Sequence, residues 1–306
     1  MFKLKQKSNR SIRVLLVMSL AALFFPISGE TGTIVRVETS LGNFSLNLFD
    51  ETTPDTVANF LNYVISGRYE DSIVHRSEPN FVIQGGGWMI NRESNSLARI
   101  QTDDSIPNEF NISNTRGTVA MAKLPTDPDS ATSQWFINLT DNLSLDSSNG
   151  GFTVFGEVLG NGMDVVDAIG TLPKVALSQS IPDLPVNGFN GSTVTIANLV
   201  VVRFFVLPNV YDEIEERLIV SVDAQEIGQL RVAFSVLSVE EGLIQALSDT
   251  VETLSAAFNG MASFDPQSAR LNIPEIAVNG EIAFRDVEFV LIDSEQLIFK
   301  LESIGN

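Results

Sequence analysis

Side chains able to do covalent or metal chemistry are scarce in this chain of 306 residues. It has no cysteine and one histidine, His75. Disulfides, thiol nucleophiles, thiolate metal sites and a lipidated N-terminal cysteine are therefore excluded. A multi-histidine zinc site is excluded too, and a Ser-His-Asp triad would have to use His75. For an enzyme the chain has few acid/base or metal options. No cofactor and no metal are expected. The informative stretches are Val74-His75-Arg76, Phe81-Val82-Ile83-Gln84-Gly85-Gly86, Val119-Ala120-Met121-Ala122, Ser133-Gln134-Trp135-Phe136-Ile137-Asn138 and Phe152-Thr153-Val154-Phe155-Gly156.

Short strands must hold these stretches. Val35 and Val37, then Phe44, Leu46 and Leu48, alternate around Leu41-Gly42-Asn43, which predicts a β-hairpin over 33–49. Thr53-Pro54 predicts a helix start, with Thr53 as N-cap and Pro54 at the first helical position. Val57, Phe60, Leu61 and Val64 form its apolar stripe and Gly67 ends it. Strands are expected at 73–76, 81–84, 117–122, 134–138 and 153–158, a second helix at Met163–Ile169, and a last strand over Thr193–Phe205. Many short strands and two helices predict a mainly β fold, a closed antiparallel β-barrel capped by two helices. On a strand, His75 points to the face opposite Arg76 and reads as structural.

Length favours two domains. The chain is 44% hydrophobic and 19% charged, enough to bury a core. Its formal net charge of −19 argues against nucleic-acid binding. Lys3, Lys5, Lys7, Arg10 and Arg13 precede an apolar run from Val14 to Phe25 and then Pro26-Ile27-Ser28-Gly29. That order is read as a signal peptide over 1–29, too short in its apolar part for a stable membrane span. The expected location is outside the cytoplasm, the periplasm or the medium. Pro182, Pro185 and Pro208 punctuate the end of the barrel unit, placing a domain over 30–209. Residues 210–306 form an acidic C-terminal domain of unknown function; 211–306 carry 18 acidic and 5 basic residues. Alternation at Leu230, Val232, Phe234 and Val236, at Val287, Phe289 and Leu291, and at Leu297, Phe299 and Leu301 predicts strands there. Leu243, Leu247, Val251, Leu254 and Phe258 keep helical spacing, so the domain is expected to be β-rich or α+β.

Taken in order, the informative stretches resemble the cyclophilin family of peptidyl-prolyl cis/trans isomerases over about residues 33–207. The resemblance implies an enzyme acting on proline-containing polypeptides. By the same match Arg76 is the residue that hydrogen-bonds the twisted imide, and Gln84 holds the substrate backbone and orients the arginine. Phe81, Met121, Phe136 and Leu145 correspond to the proline pocket, and Ala122 and Gln134 flank the bound peptide. Four positions depart from the family pattern: Ser144 for a frequent Trp, Phe152 for a frequent His, Lys123 for Asn and Gly87 for Asp. Ser144 and Phe152 predict weak binding of the cyclic immunosuppressant that many relatives bind, and Lys123 predicts altered substrate preference. Two other readings stand beside an active isomerase. One is a proline-peptide binding or chaperone module whose C-terminal domain carries specificity. The other is a surface or matrix protein whose C-terminal domain is the working part. Oligomeric state is not legible in the sequence.

Overall fold

The computed structural model describes residues 32–213, 216–224, 228–254 and 259–305. The expected signal peptide lies outside the described residues. Among them, no helix is long and apolar enough to cross a membrane. The chain divides between Val206 and Leu207 into two compact units.

In the first unit the hairpin forms as β1 (Ile34–Thr39) and β2 (Gly42–Leu48). Next come α1 (Pro54–Ile65), β3 (Ser72–Ile73), β4 (Arg76–Glu78) and β5 (Val82–Gly85). A hairpin the periodicity did not predict follows, β6 (Trp88–Asn91) and β7 (Ser96–Arg99). The unit continues with β8 (Thr118–Met121), β9 (Trp135–Asn138), β10 (Val154–Val158), α2 (Gly162–Gly170), β11 (Lys174–Val175), β12 (Leu184–Pro185) and β13 (Val201–Leu207). The expected strand over 193–205 is shorter: Ile196–Asn198 is a 3-10 turn and the strand begins at Val201.

The sheet runs β4-β5-β9-β8-β10-β2-β1-β13-β3-β6-β7, the last two forming a hairpin beyond β3. Amide bonds from Val74 to Val200 and from His75 to Gln84 carry the chain from β3 into β4 without leaving the sheet. The sheet thus closes on itself as a barrel. Its core holds Val35, Leu46, Val119, Met121, Trp135, Ile137 and Phe155, with Val57, Phe60 and Tyr63 of α1 and Val166 and Ile169 of α2 packed in.

Pro54 does open α1, but Thr53 does not cap it. The Thr53 hydroxyl donates instead to the Phe49 carbonyl. The cap comes from Glu109, whose carboxylate accepts from the amides of Asp55 (3.2 Å) and Thr56 (2.8 Å) and from the Thr56 hydroxyl (2.6 Å). A carboxylate there satisfies amides that the helix leaves unpaired and sits at the positive end of its dipole.

The second unit is β-rich. It contains β14 (Asn209–Asp212), β15 (Arg217–Asp223), β16 (Gln229–Ser238), β17 (Leu243–Ala246), β18 (Glu252–Thr253), β19 (Ala262–Asp265), β20 (Arg270–Val278), β21 (Glu281–Asp293) and β22 (Ile298–Ile304). Pairings β15–β16, β16–β17, β17–β22, β22–β21, β21–β20, β20–β14 and β14–β15 close a second ring. The helix suggested by Leu243, Leu247, Val251 and Leu254 does not form; Phe258 lies outside the described residues. Leu243 is instead paired with Lys300 in the ladder, and Ser248–Thr250 is one 3-10 turn. Long-range strand pairing overrides an apolar spacing that is equally available to helix and strand.

Candidate active site

Five adjacent strands of the first barrel, β4, β5, β9, β8 and β10, build the site, and side-chain alternation sorts their residues. On β5, Ile83 joins the barrel core while Val82 lies on the opposite face. On β9, Trp135 and Ile137 point to the core and Phe136 away from it. On β8, Val119 and Met121 point in, Ala120 out. Cross-strand register then lines up one row: Arg76 opposite Gln84, Gln84 opposite Phe136, Phe136 opposite Ala120, Ala120 opposite Val154.

The glycines after Gln84 permit this packing. A Cβ on Gly85 would fall 2.3 Å from the Trp135 ring. Gly86, at φ +75°, would place one 2.2 Å from the Ser133 carbonyl oxygen.

Polar groups on this face form a chain. Arg76 Nη1 donates to Gln84 Oε1 at 3.1 Å, and Gln84 Nε2 donates to Gln134 Oε1 at 2.9 Å. The Arg76 guanidinium lies 5.9 Å from the centre of the Phe81 ring. A loose ion pair links it to Glu78 at 3.8 Å; the arginine side chain is 36% exposed, where such pairs are worth about 1 kcal/mol or less. Gln134 also steadies the strand behind it, its carbonyl accepting from the Ala122 amide at 2.8 Å.

Beside the chain lies an apolar cluster. Phe136, Val82, Ala120 and Val154 are buried in it, and Phe81, Ala122, Leu145, Phe152, Phe49 and Ile112 pack against them. Phe136 and Phe152 meet edge to face at 5.8 Å between ring centres. The Leu139 amide and Asn142 Nδ2 both donate to the Phe81 carbonyl at 2.9 Å, holding Phe81 in place. Of the residues matched to the proline pocket, Phe81, Phe136 and Leu145 come together here. Met121 does not: it is 1% exposed and belongs to the barrel core. Val82 stands beside Phe136 in its stead. Its position two residues before Gln84 on one strand was the signal for it.

The departures have structural consequences. Lys123 Nζ donates to the carbonyls of Asn149 (2.7 Å) and Gly151 (2.5 Å) and sits 5.0 Å from the centre of the Phe152 ring. Burial pulls its pKa down, against the attraction of Asp129 and Asp127. The ammonium therefore braces the loop that carries Phe152. Ser144 is exposed. His75 is buried, its Nδ1 has no hydrogen-bond partner, and its pKa is lowered to about 4. Burial is the main cause and the charges of Arg99 and Arg76 add to it, while a Gln134 hydrogen bond opposes them. Among the described residues, no group of three or more His, Cys, Asp or Glu could hold a metal ion.

A guanidinium held by an amide chain stands beside an apolar cluster on the outer face of the barrel, with no nucleophile or general base among these side chains. The family model described as "Cyclophilin type peptidyl-prolyl cis-trans isomerase/CLD" matches residues 34–188. A peptidyl-prolyl cis-trans isomerase of Acinetobacter baylyi is 41% identical over 172 residues, 55% of this chain and 88% of the relative. Peptidyl-prolyl cis-trans isomerase A of Dickeya dadantii is 39% identical over 179 residues, 56% of this chain and 90% of the relative. A crystal structure of a Cryptosporidium parvum cyclophilin, determined in the presence of the dipeptide Ala-Pro, is 22% identical with a TM-score of 0.42, covering 57% of this chain and 98% of that one. The chain belongs to the cyclophilin-type peptidyl-prolyl cis-trans isomerases, a family of enzymes. Residues 207–306 lie beyond the matched domain.

Proposed function

We propose that this chain accelerates X–Pro rotation in exported polypeptides, with Arg76 as the catalytic donor. The barrier to that rotation is about 18–20 kcal/mol and comes from amide resonance. When the bond twists, the imide nitrogen regains its lone pair. A donor aimed at that nitrogen stabilises the twisted state more than the planar one, which is what lowers a barrier. No bond is made or broken, so neither nucleophile nor metal is needed. Gln84 fixes the guanidinium and Gln134 fixes Gln84. Phe81, Phe136 and Leu145, with Val82 beneath, take the proline ring. Ala122 and Gln134 border the flanking peptide. Met121 supports this strand from the core side. Export rests on the basic and then apolar order of residues 1–29.

The observation that carries the reading is the Arg76–Gln84–Gln134 chain running beside the Phe81–Phe136 cluster on one face. The test is turnover of a short X-Pro peptide by Arg76→Ala. We expect kcat/KM to fall by at least ~10²-fold with the circular dichroism spectrum unchanged. Near-wild-type turnover would remove Arg76 from the mechanism and favour the proline-peptide binding reading.

A further inference from the structure

The second barrel has an apolar hollow at one end. Its volume is about 90 Å³, and Leu218, Val236, Ile276, Phe289, Leu301 and Ile304 are among its walls. Val236, Leu301 and Ile304 are only partly buried, so the hollow is open to solvent. Tyr211 lines it, and the Tyr211 hydroxyl is buried without a hydrogen-bond partner. Burial raises the pKa of that phenol, and Glu216, Glu213 and Asp212 raise it further, so it remains a donor.

Strand register places Glu213, Glu216 and the turns 239–242 and 279–281 at this same end. Arg217 pairs with Ser235, Leu243 with Lys300, Val287 with Ile304, and Tyr211 with Val278. The described residues there include Glu213, Glu216, Glu240, Glu241 and Glu281, against one cation, Arg217, at the start of β15. Glu216, Glu240, Glu241 and Glu281 are exposed. Glu213 accepts from Asn279 Nδ2 at 2.9 Å, which ties it to the turn 279–281. Arg285, on the neighbouring strand, is paired with Glu275.

Size and charge together select the occupant. Drug-sized ligands fill pockets of roughly 300–1,000 Å³. An apolar cavity of ~150 Å³ takes a molecule the size of benzene. A hollow of about 90 Å³ therefore takes one apolar side chain. The acidic rim, spread around this end, is of use only to a ligand longer than the hollow, and it repels anions. We infer that this mouth anchors an unfolded polypeptide segment in which one large apolar residue is flanked by Lys or Arg. Its side chain fills the hollow and packs against Tyr211. This goes beyond the isomerase reading and does not depend on it.

The test is fluorescence anisotropy with the full chain and a fluorescein-labelled ten-residue peptide carrying a single Leu between Lys-Arg pairs and no proline. Binding is expected to weaken as salt is raised, because exposed charges are screened. Replacing the peptide's Leu by Ser, or its cations by Gln, should each cost at least ~10-fold in affinity. Glu240→Lys combined with Glu241→Lys should cost as much. Arg76→Ala should leave this binding unchanged. The Glu240→Lys, Glu241→Lys chain should isomerise a short X-Pro peptide at the wild-type rate, which also reports that it folds. Absence of binding, or binding indifferent to both the Leu and the glutamates, would overturn the proposal. So would free indole competing at concentrations as low as the peptide, since the hollow would then be a small-molecule site. Loss of isomerase activity in Arg76→Ala bears on the other unit alone.

Discussion

Arg76 reaches its position through two amides, and the second of them also faces His75. Gln84 accepts from the guanidinium, Gln134 accepts from Gln84, and Gln134 hydrogen-bonds the imidazole on the inner side of the strand. His75 is held neutral by burial. Its folded pKa is about 4 against an ordinary 6.5. Because the folded value lies below the unfolded one, unfolded chains take up a proton first as pH falls. This contribution to stability is therefore full above pH 6.5 and is lost progressively down to about pH 4. The loss amounts to about 3 kcal/mol at most. Urea unfolding of wild type and His75→Gln between pH 7 and pH 5 checks this. The wild type should lose stability more steeply than the variant; parallel curves would mean that His75 is not the group responsible. The opposite orientations of His75 and Arg76 were legible from strand alternation alone. The shared amide of Gln134, 58 residues beyond Arg76 in the sequence, was not.

At the scale of elements, α1 shows how a correct boundary can rest on a different cause. Thr53-Pro54 marks the start of the helix, yet the carboxylate on its first amides belongs to Glu109. Glu109→Ala should lower stability by about 1–2 kcal/mol, the usual worth of a cap, and Glu109→Gln by less because it keeps an acceptor. Thermal unfolding measures both; an unchanged midpoint in Glu109→Ala would leave the capping role without support. The strands carrying the site were legible because apolar and polar residues alternate with period two along them. Which face of β8 joins the Phe136 cluster was not, since Thr118–Met121 is buried on both faces. Met121 and Val82 exchange places between motif and structure for that reason. In the second unit, the leucines from Leu243 onward fit a helical period, but two strands already present their edges to that segment.

For the whole molecule, the two compact units divide at Val206–Leu207, whereas the sequence-based boundary falls after 209. Asn209 opens β14 and donates to the carbonyls of Gly260 and Glu275, all within the second unit. We propose that residues 30–206 fold and isomerise alone. Every side chain of the Arg76 chain and the Phe136 cluster lies within that fragment. The fragment should keep most activity on a short X-Pro peptide and lose the binding proposed for the Tyr211 mouth. An insoluble 30–206 fragment would show that the second unit completes the first. Sequence alone determined the chemistry permitted here, because residue types are local facts: no thiol, one imidazole, a guanidinium beside amides and large apolar groups. It also determined the period of most strands and both helices, since alternation and capping patterns are written within a few residues. Tertiary structure alone decided which faces meet. The cap from Glu109, the placing of Val82 over Met121, and the closure of the second unit's strands into a ring with an acidic mouth all depend on pairings between distant segments. Local periodicity sets where a side chain points relative to its neighbours, and only chain closure sets what lies opposite.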